Sequence, residues 1–346
     1  MLIDIRNLSI YADAPHGEVK ILDRVSLQIA EGEIHTLVGE SGSGKSLVAR
    51  AIMGFINPDW RMQADRLWFQ GIDLLRLTSK QRRNIIGVDI AMIFQDPTDY
   101  LDPNATVLQQ LREAILNRDI KASFWQRRKA RDEYATNLLI RMGVKNHQQI
   151  LKSYPFELSE GAAQKVMIAT AIAHRPLLLI ADEPTTAMEP NTRAQIYRLL
   201  AQLHAQYHMS ILLITQDFSD LMKETTHLST IYSGQIMETG SCNELMQTPH
   251  HPYTDALGYT SLFRPDRLAP KQRLQTLPEL EPNLQHMPIG CRMGPRCPYA
   301  KRKCVQRPDM QTIGKREFYC HYPINLPEKK PVAKNQRANN KEQNIL

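Results

Sequence analysis

The sequence predicts an α/β fold: a parallel sheet core preceded by an antiparallel β layer, interrupted by a helical insert and followed by a small cysteine-rich domain. Three observations predict it. Continuous apolar runs such as Leu177 to Ala181 and Ser210 to Thr215 are followed by helical patterns, as strands buried on both faces of a parallel sheet require. Residues 2 to 10 and Val25 to Ile29 alternate instead with a period of two, the mark of a half-buried antiparallel layer, with residues 2 to 10 as its edge strand. Third, an apolar run ending at Val38 leads into the glycine-rich stretch Gly39-Glu40-Ser41-Gly42-Ser43-Gly44-Lys45-Ser46 and then a helical pattern from Leu47 to Met53.

That stretch fits GxxxxGK[ST], the phosphate-binding loop, and makes the expected ligand a nucleotide. Its glycines let successive backbone N–H groups turn toward phosphate oxygens, and the following helix points its positive end at the same anion. Lys45 is placed to reach the β/γ-phosphates, Ser46 to hold Mg²⁺, and Gly54 to end the helix as a C-cap. The whole loop, Gly39, Glu40, Ser41, Gly42, Ser43, Gly44, Lys45 and Ser46, is the candidate ATP-binding set.

Composition sets the outer bounds. At 346 residues, with 42% hydrophobic and 23% charged, the chain is expected to form about two soluble domains. No apolar run approaches the roughly 20 residues that cross a bilayer, and no basic-then-apolar leader opens the chain, so a cytoplasmic protein is expected. The net charge of +7 is scattered, apart from Gln126 to Arg131, Lys301 to Lys303 and the last residues, and Arg127-Arg128-Lys129 reads as a solvated helix face. No nucleic-acid partner is implied.

The core is expected over 1–96 and 159–248, with 97–158 as the helical subdomain, since Pro97 to Leu158 carries no buried-strand pattern. Ser229 to Tyr232 and Gln235 to Glu238 read as a hairpin about Ser233-Gly234. Residues 249–326, with many of the prolines and four of the five cysteines, read as a loop-rich extension distinct from the sheet, and 327–346 as a disordered tail. No internal repeat is present, so a single unit is expected.

Two further segments carry chemistry. Leu177 to Ala181 ends in Asp182 and Glu183; adjacent strand residues face opposite ways, so Asp182 can turn to Mg²⁺ beside Ser46 while Glu183 meets an attacking water as general base. Leu158-Ser159-Glu160-Gly161-Ala162-Ala163-Gln164 opens a helix expected to run to about His174 before Pro176, with Ser159 as N-cap. The order of these motifs, with Gln95 in Met92-Ile93-Phe94-Gln95-Asp96-Pro97, resembles the ABC transporter ATPases, and Leu158 to Gln164 looks like their signature sequence. The resemblance implies a P-loop NTPase cassette that dimerises head to tail, the trans signature Ser159, Glu160 and Gly161 closing over the partner's ATP. It also implies that Tyr11 stacks on adenine, that Gln95 senses Mg²⁺ or the attacking water and links to the membrane partner, and that Gln216 occupies the switch-histidine position as a third catalytic residue beside Glu183 and Gln95.

The chain departs from that family pattern in places. Glu160 stands where the signature's first glycine would be, Gln216 where the histidine would be, and Glu189 where Asp is commoner. An amide at 216 can donate a hydrogen bond but carries no charge. Unequal sites and a heterodimer with a second, different ABC ATPase are therefore expected.

His251-Pro252-Tyr253-Thr254, Pro288-Ile289-Gly290-Cys291 and Pro295-Arg296-Cys297-Pro298 look like the C-terminal extension of the oligopeptide and dipeptide permease ATPases. That narrower resemblance implies an ATPase powering a peptide importer, antimicrobial peptides among its cargo, on the cytoplasmic face of the inner membrane. Its partners would be two permease subunits and, indirectly, a periplasmic peptide-binding protein. The alternative is an ATP-sensing regulatory subunit with weak hydrolysis. Cys291, Cys297, Cys304 and Cys320 are spaced C-x5-C-x6-C-x15-C, and in a reducing compartment such a cluster points to a metal. The spacing leaves a [4Fe–4S] cluster, zinc and free buried thiols open, the resemblance favouring iron–sulfur.

Overall fold

The computed structural model describes residues 1–14, 17–116, 120, 123–186, 188–260, 285 and 287–326. The expected tail at 327–346 lies outside them. Two sheets organise the chain. The first is antiparallel, from β1 (Ile3–Ala14), β2 (Gly17–Ile29), β4 (Arg61–Gln63), β5 (Arg66–Phe69) and β6 (Ile72–Asp73), in the order β2-β1-β5-β6 with β4 also on β1. The expected edge strand β1 is thus interior, paired on both sides. Period-two alternation reports that one face is buried, here through Ile3, Ile5, Leu8 and Ile10, but carries no information on lateral pairing.

The second sheet runs, in spatial order, β12 (Gln311–Ile313), β13 (Arg316–Phe318), β11 (Gln235–Ser241), β10 (His227–Tyr232), β3 (Ile34–Val38), β9 (Ser210–Thr215), β8 (Leu178–Asp182) and β7 (Ile90–Ile93). Its centre is parallel: β3, β7, β8, β9 and β10. Every residue of β3, β7, β8 and β9 is buried, polar His35 and Thr36 included, which explains why these strands are largely apolar without alternation. Leu178 and Ile180 face the helix Lys45–Met53 and the antiparallel layer, whereas Leu179 and Ala181 face the helices Val107–Ala114, Arg127–Arg141, Glu160–Ala171 and Pro190–Tyr207. The first helix is therefore sandwiched between the two sheets. Gly54 ends it with φ 75°.

Residues 97–158 carry helices and no strand among the described residues. Arg128 and Lys129 are exposed, as a solvated face requires. The signature helix stops at Ala171, short of the expected His174, because the chain is already turning toward Arg175 (φ 54°) and Pro176.

The cysteine-rich segment is not separate from the sheet, contrary to expectation. Its hairpin, β12 (Gln311–Ile313) and β13 (Arg316–Phe318), pairs antiparallel with β11 (Gln235–Ser241) and lengthens the main sheet by two strands. Phe318 is fully buried, and Arg316 is buried facing Glu238 at 3.9 Å. Strands of three mostly polar residues leave no apolar run to read in the sequence.

β10 and β11 meet at Ser233-Gly234 with φ 43° and 78°, the paired positive angles of a tight hairpin turn. A Cβ on Gly234 would lie 1.8 Å from the Ile21 carbonyl oxygen. The same turn donates from Gly234 N–H to the Ser43 carbonyl at 2.8 Å and accepts at the Gly234 carbonyl from Asp23 N–H at 2.9 Å, so it ties the phosphate loop to the antiparallel layer. Gly234→Ala is expected to cost about 2–4 kcal/mol, from backbone strain and the forced separation of Ile21, measured as a fall in the denaturant midpoint at unchanged slope.

Candidate nucleotide-binding site

The site forms where β3, β8 and β9 end side by side. β3 feeds the phosphate loop directly into the helix Lys45–Met53, whose N-cap is Gly44 at φ 100°. Gly39 is needed for a different reason: a Cβ there would lie 2.2 Å from the Ile231 carbonyl oxygen. Lys45 is 3% exposed, its Nζ donating to the carbonyls of Gly39 at 2.9 Å and Glu40 at 2.8 Å. Ser43 is fully buried and its Oγ has no protein hydrogen-bond partner. Unpaired buried hydroxyls are costly, so this one suits a ligand acceptor.

β8 delivers both carboxylates. Asp182 Oδ1 accepts from Ser46 Oγ at 2.9 Å. Burial, with help from the Glu183 charge, pushes the Asp182 carboxyl up, while Ser46, Lys45 and Arg50 oppose that shift. Ser46 and Asp182 thus present two adjacent hard oxygen donors, the chemistry Mg²⁺ selects. Glu183 sits just beyond the strand with φ 46°, a costly conformation for a residue with a Cβ. It faces Lys45 Nζ at 3.5 Å and accepts from Gln216 Nε2 at 2.5 Å and Thr186 Oγ1 at 3.1 Å. Gln216 follows β9, and its amide therefore reaches the carboxylate from the neighbouring strand.

Gln95 is exposed and lines one cavity of about 420 Å³ with Ser46, Arg50, Glu160 and Asp182. Arg50 was not singled out in the sequence, where it reads as one more polar helix position. Ser159 is the N-cap of the signature helix by backbone geometry, but its side chain makes no cap hydrogen bond. Exposed Ser159 and Glu160, with Gly161, line a second cavity beside Met188, Glu189 and Thr192. Tyr11 stands apart from these groups: Arg61 covers its ring at 4.0 Å and Lys20 lies 5.0 Å from the ring centre.

Cys291, Cys297, Cys304 and Cys320 line a single small cavity with His251 and His321. No three His, Cys, Asp or Glu side chains among the described residues are disposed to hold one metal ion. Burial pushes the Cys320 thiol up to about 12 and holds His251 down at about 3. Cys242 lies away from that cavity, its thiol raised to about 11 by burial.

Comparison with known proteins fits this geometry. Residues 22–186 match the ABC transporter family and residues 237–304 the C-terminal region of oligopeptide/dipeptide transporters. The peptide transport system ATP-binding protein SapD of Salmonella typhimurium is 47% identical over 325 residues, 94% of this chain and 98% of that protein. This chain belongs to the ABC transporter ATP-binding proteins. Within the family, SapD of Haemophilus influenzae is 45% identical over 95% of this chain and 94% of its own length, and the dipeptide transport ATP-binding protein DppD of Escherichia coli is 41% identical over 93% and 97%. A dimeric ATP-binding cassette solved in a post-hydrolysis state with ADP and Pi superposes with a TM-score of 0.59 at 23% identity, over 69% of this chain and 98% of that one. The fold is that of the ABC cassette, with both sheets and the helical region in place.

Asp182→Asn separates stability from binding. A buried carboxyl with a raised pKa binds its proton more tightly folded than unfolded, so its effect on stability is least unfavourable below its ordinary value near 3.8 and worsens as pH rises through the raised one. Neutralising it is expected to raise the ligand-free melting temperature at pH 7 while abolishing the Mg²⁺-dependent gain in ATP affinity. Differential scanning fluorimetry with and without Mg²⁺·ATP checks both.

Proposed function

We propose that this chain is the ATP-hydrolysing subunit of an ABC importer of peptides, peripheral on the cytoplasmic face of the inner membrane. The observation that carries the reading is the convergence of Lys45, Ser46, Asp182, Glu183 and Gln216 at the ends of three adjacent strands, in a chain 47% identical to a peptide transport ATP-binding protein over 94% of its length. Gly39 to Ser46 cradle the phosphates, and Lys45 turns from the loop carbonyls to the β/γ oxygens. Ser46 and Asp182, with Gln95, would hold Mg²⁺, which would supply charge neutralisation there. Glu183 accepts the proton of the attacking water, and Gln216 holds the Glu183 carboxylate and donates to the γ-phosphate. Tyr11 would meet adenine once Arg61 yields its ring face.

Ser159, Glu160 and Gly161 line a second cavity, of which only Glu160 also lines the cavity of Ser46 and Asp182, and Ser159 and Glu160 are exposed, which supports their acting on a second chain's nucleotide. The partners are two permease subunits, reached through the Gln95 loop and the helices of 97–158, and indirectly a periplasmic peptide-binding protein. We favour a different ATPase as the dimer partner, since Glu160 and Gln216 would then fall in separate composite sites; recovering only homodimers from a mixture with the candidate second ATPase in ATP would sink that pairing. Cargo is read as peptides, and no residue here narrows it to antimicrobial ones. The regulatory alternative rests on Gln216 alone and is not favoured, because the relatives are named for transport.

The four cysteines are read as holding a [4Fe–4S] cluster, zinc being the weaker candidate. The support is that all four line one small cavity with His251 and His321; against it, no three His, Cys, Asp or Glu side chains among the described residues are disposed to hold an ion. Its bound role is to staple the C-terminal segment. Iron and acid-labile sulfide in anaerobically purified protein test it; absence of both rejects the cluster.

Steady-state ATP hydrolysis by the chain with its permease and second ATPase tests the function. Glu183→Gln is expected to lower turnover roughly 10²-fold or more with ATP binding retained, and Gln216→His to raise it modestly. An unchanged rate in Glu183→Gln would contradict the hydrolytic role.

A further inference from the structure

The C-terminal segment reaches the phosphate loop itself. Arg296 stands on the single helical turn Gly294–Arg296 between Cys291 and Cys297, and is 6% exposed. Its Nη1 donates to Glu40 Oε2 at 2.9 Å and to the Tyr232 hydroxyl at 3.2 Å. Tyr232 packs edge-on against Tyr253, ring centres 4.9 Å apart. Tyr253, fully buried in the helix Pro252–Thr260, accepts through its hydroxyl from the Glu40 backbone N–H at 2.9 Å. Glu40 is therefore held twice by residues more than two hundred positions away, once through its carboxylate and once through its amide.

We infer that Arg296 and Tyr253 are positioning residues for nucleotide binding, holding Glu40 so that its carboxylate is neutralised and kept off the phosphates. The inference rests on the nucleotide-binding reading above. A phosphate loop works by presenting N–H donors to an anion, and a free carboxylate at its second position would oppose that. Arg296 answers the charge with a charge-assisted hydrogen bond. Tyr253 fixes the backbone from which that side chain leaves, committing one amide to an outward contact so that the later ones can turn in. Arg292, donating to the carbonyl of Ser233 in the same turn whose Gly234 N–H donates to Ser43, supports the same loop from its other end.

The test is ATP affinity of the purified full chain, measured with the fluorescent analogue mant-ATP, beside its melting temperature. Arg296→Met is expected to weaken binding roughly tenfold, in line with a lost hydrogen bond between charged groups. Adding Glu40→Gln should restore most of that loss, because the unpaired carboxylate is then gone. A merely structural arginine would not be rescued this way. Tyr253→Phe, which removes one hydroxyl, is expected to weaken binding several-fold at an almost unchanged melting temperature, and it decides the matter if Arg296→Met does not fold. Unchanged affinity in the folded variants, or an Arg296→Met defect that Glu40→Gln fails to relieve, overturns the inference. Wild-type protein that binds no ATP would instead overturn the nucleotide-binding reading beneath it.

Discussion

A buried ammonium constrains this molecule more than any other group. Lys45 is 3% exposed, and a charge so far from water must be answered by nearby acceptors or it loses its proton. Two answers are local, the carbonyls of Gly39 and Glu40, and oblige the loop to curl around the side chain. The third is Glu183 at 3.5 Å, which is distant in sequence and requires β8 to end at that height. Strand order follows from this. β3 carries the loop and β8 the carboxylates, and β9 lies between them, so that the residue after it, Gln216, can reach Glu183. Binding at the carboxyl ends of adjacent parallel strands is the general rule for open α/β sheets. Here the rule has a specific electrostatic cause.

The same reasoning explains why the cysteine-rich segment is built into the cassette. Asp23, on β2, is 7% exposed and accepts from Lys20, Gln235 and Arg307, with Arg292 at 3.7 Å. Its hydrogen bonds and neighbouring cations outweigh burial and hold its carboxyl below the usual range. Two of those cations come from the C-terminal segment, and removing them would leave an uncompensated buried charge. Glu238 is fully buried and accepts from the His250 and His251 backbone N–H groups, which anchors the start of the extension to β11. Ion pairs of this kind add little net stability beside an apolar alternative, but each is costly to break singly. The extension therefore behaves as part of one body with the sheet and the phosphate loop.

What the sequence made legible follows the range of the interactions involved. The phosphate loop, its Gly54 cap, the strands β8 and β9 and the turn at Ser233-Gly234 were all readable because each is specified by neighbours in the chain. The interior position of β1 was not, since lateral pairing leaves no trace in a period of two. Nor was the hairpin of β12 and β13, whose six residues are mostly polar and gain their place from β11. Arg296 appeared only as part of a recognisable C-terminal motif; its partner Glu40 lies 256 residues away, and an arginine between two cysteines says nothing about where its guanidinium will go. Arg50 was missed for the same reason, its proximity to Asp182 existing only after β8 and the first helix are brought together.

Two of the three departures from the family pattern lie in different settings, Glu160 on the signature helix and Gln216 beside Glu183, and physics treats them differently. Glu160 occupies the first turn of the helix Glu160–Ala171, where a carboxylate complements the helix dipole by about 0.3–1 kcal/mol in the isolated chain. That benefit becomes a liability when an anionic ligand approaches the same helix end, since ligand and side chain compete for one positive potential. Because Glu160 is exposed, its side chain can rotate away while Ser159 Oγ and the backbone N–H groups stay in place. Gln216 is exposed as well, but its amide is engaged with Glu183, and an amide cannot supply the charge of an imidazolium. On the hydrolytic reading proposed above, Gln216 would set the ceiling on turnover at this chain's own phosphate loop, and Glu160 would adjust how readily an opposite site closes.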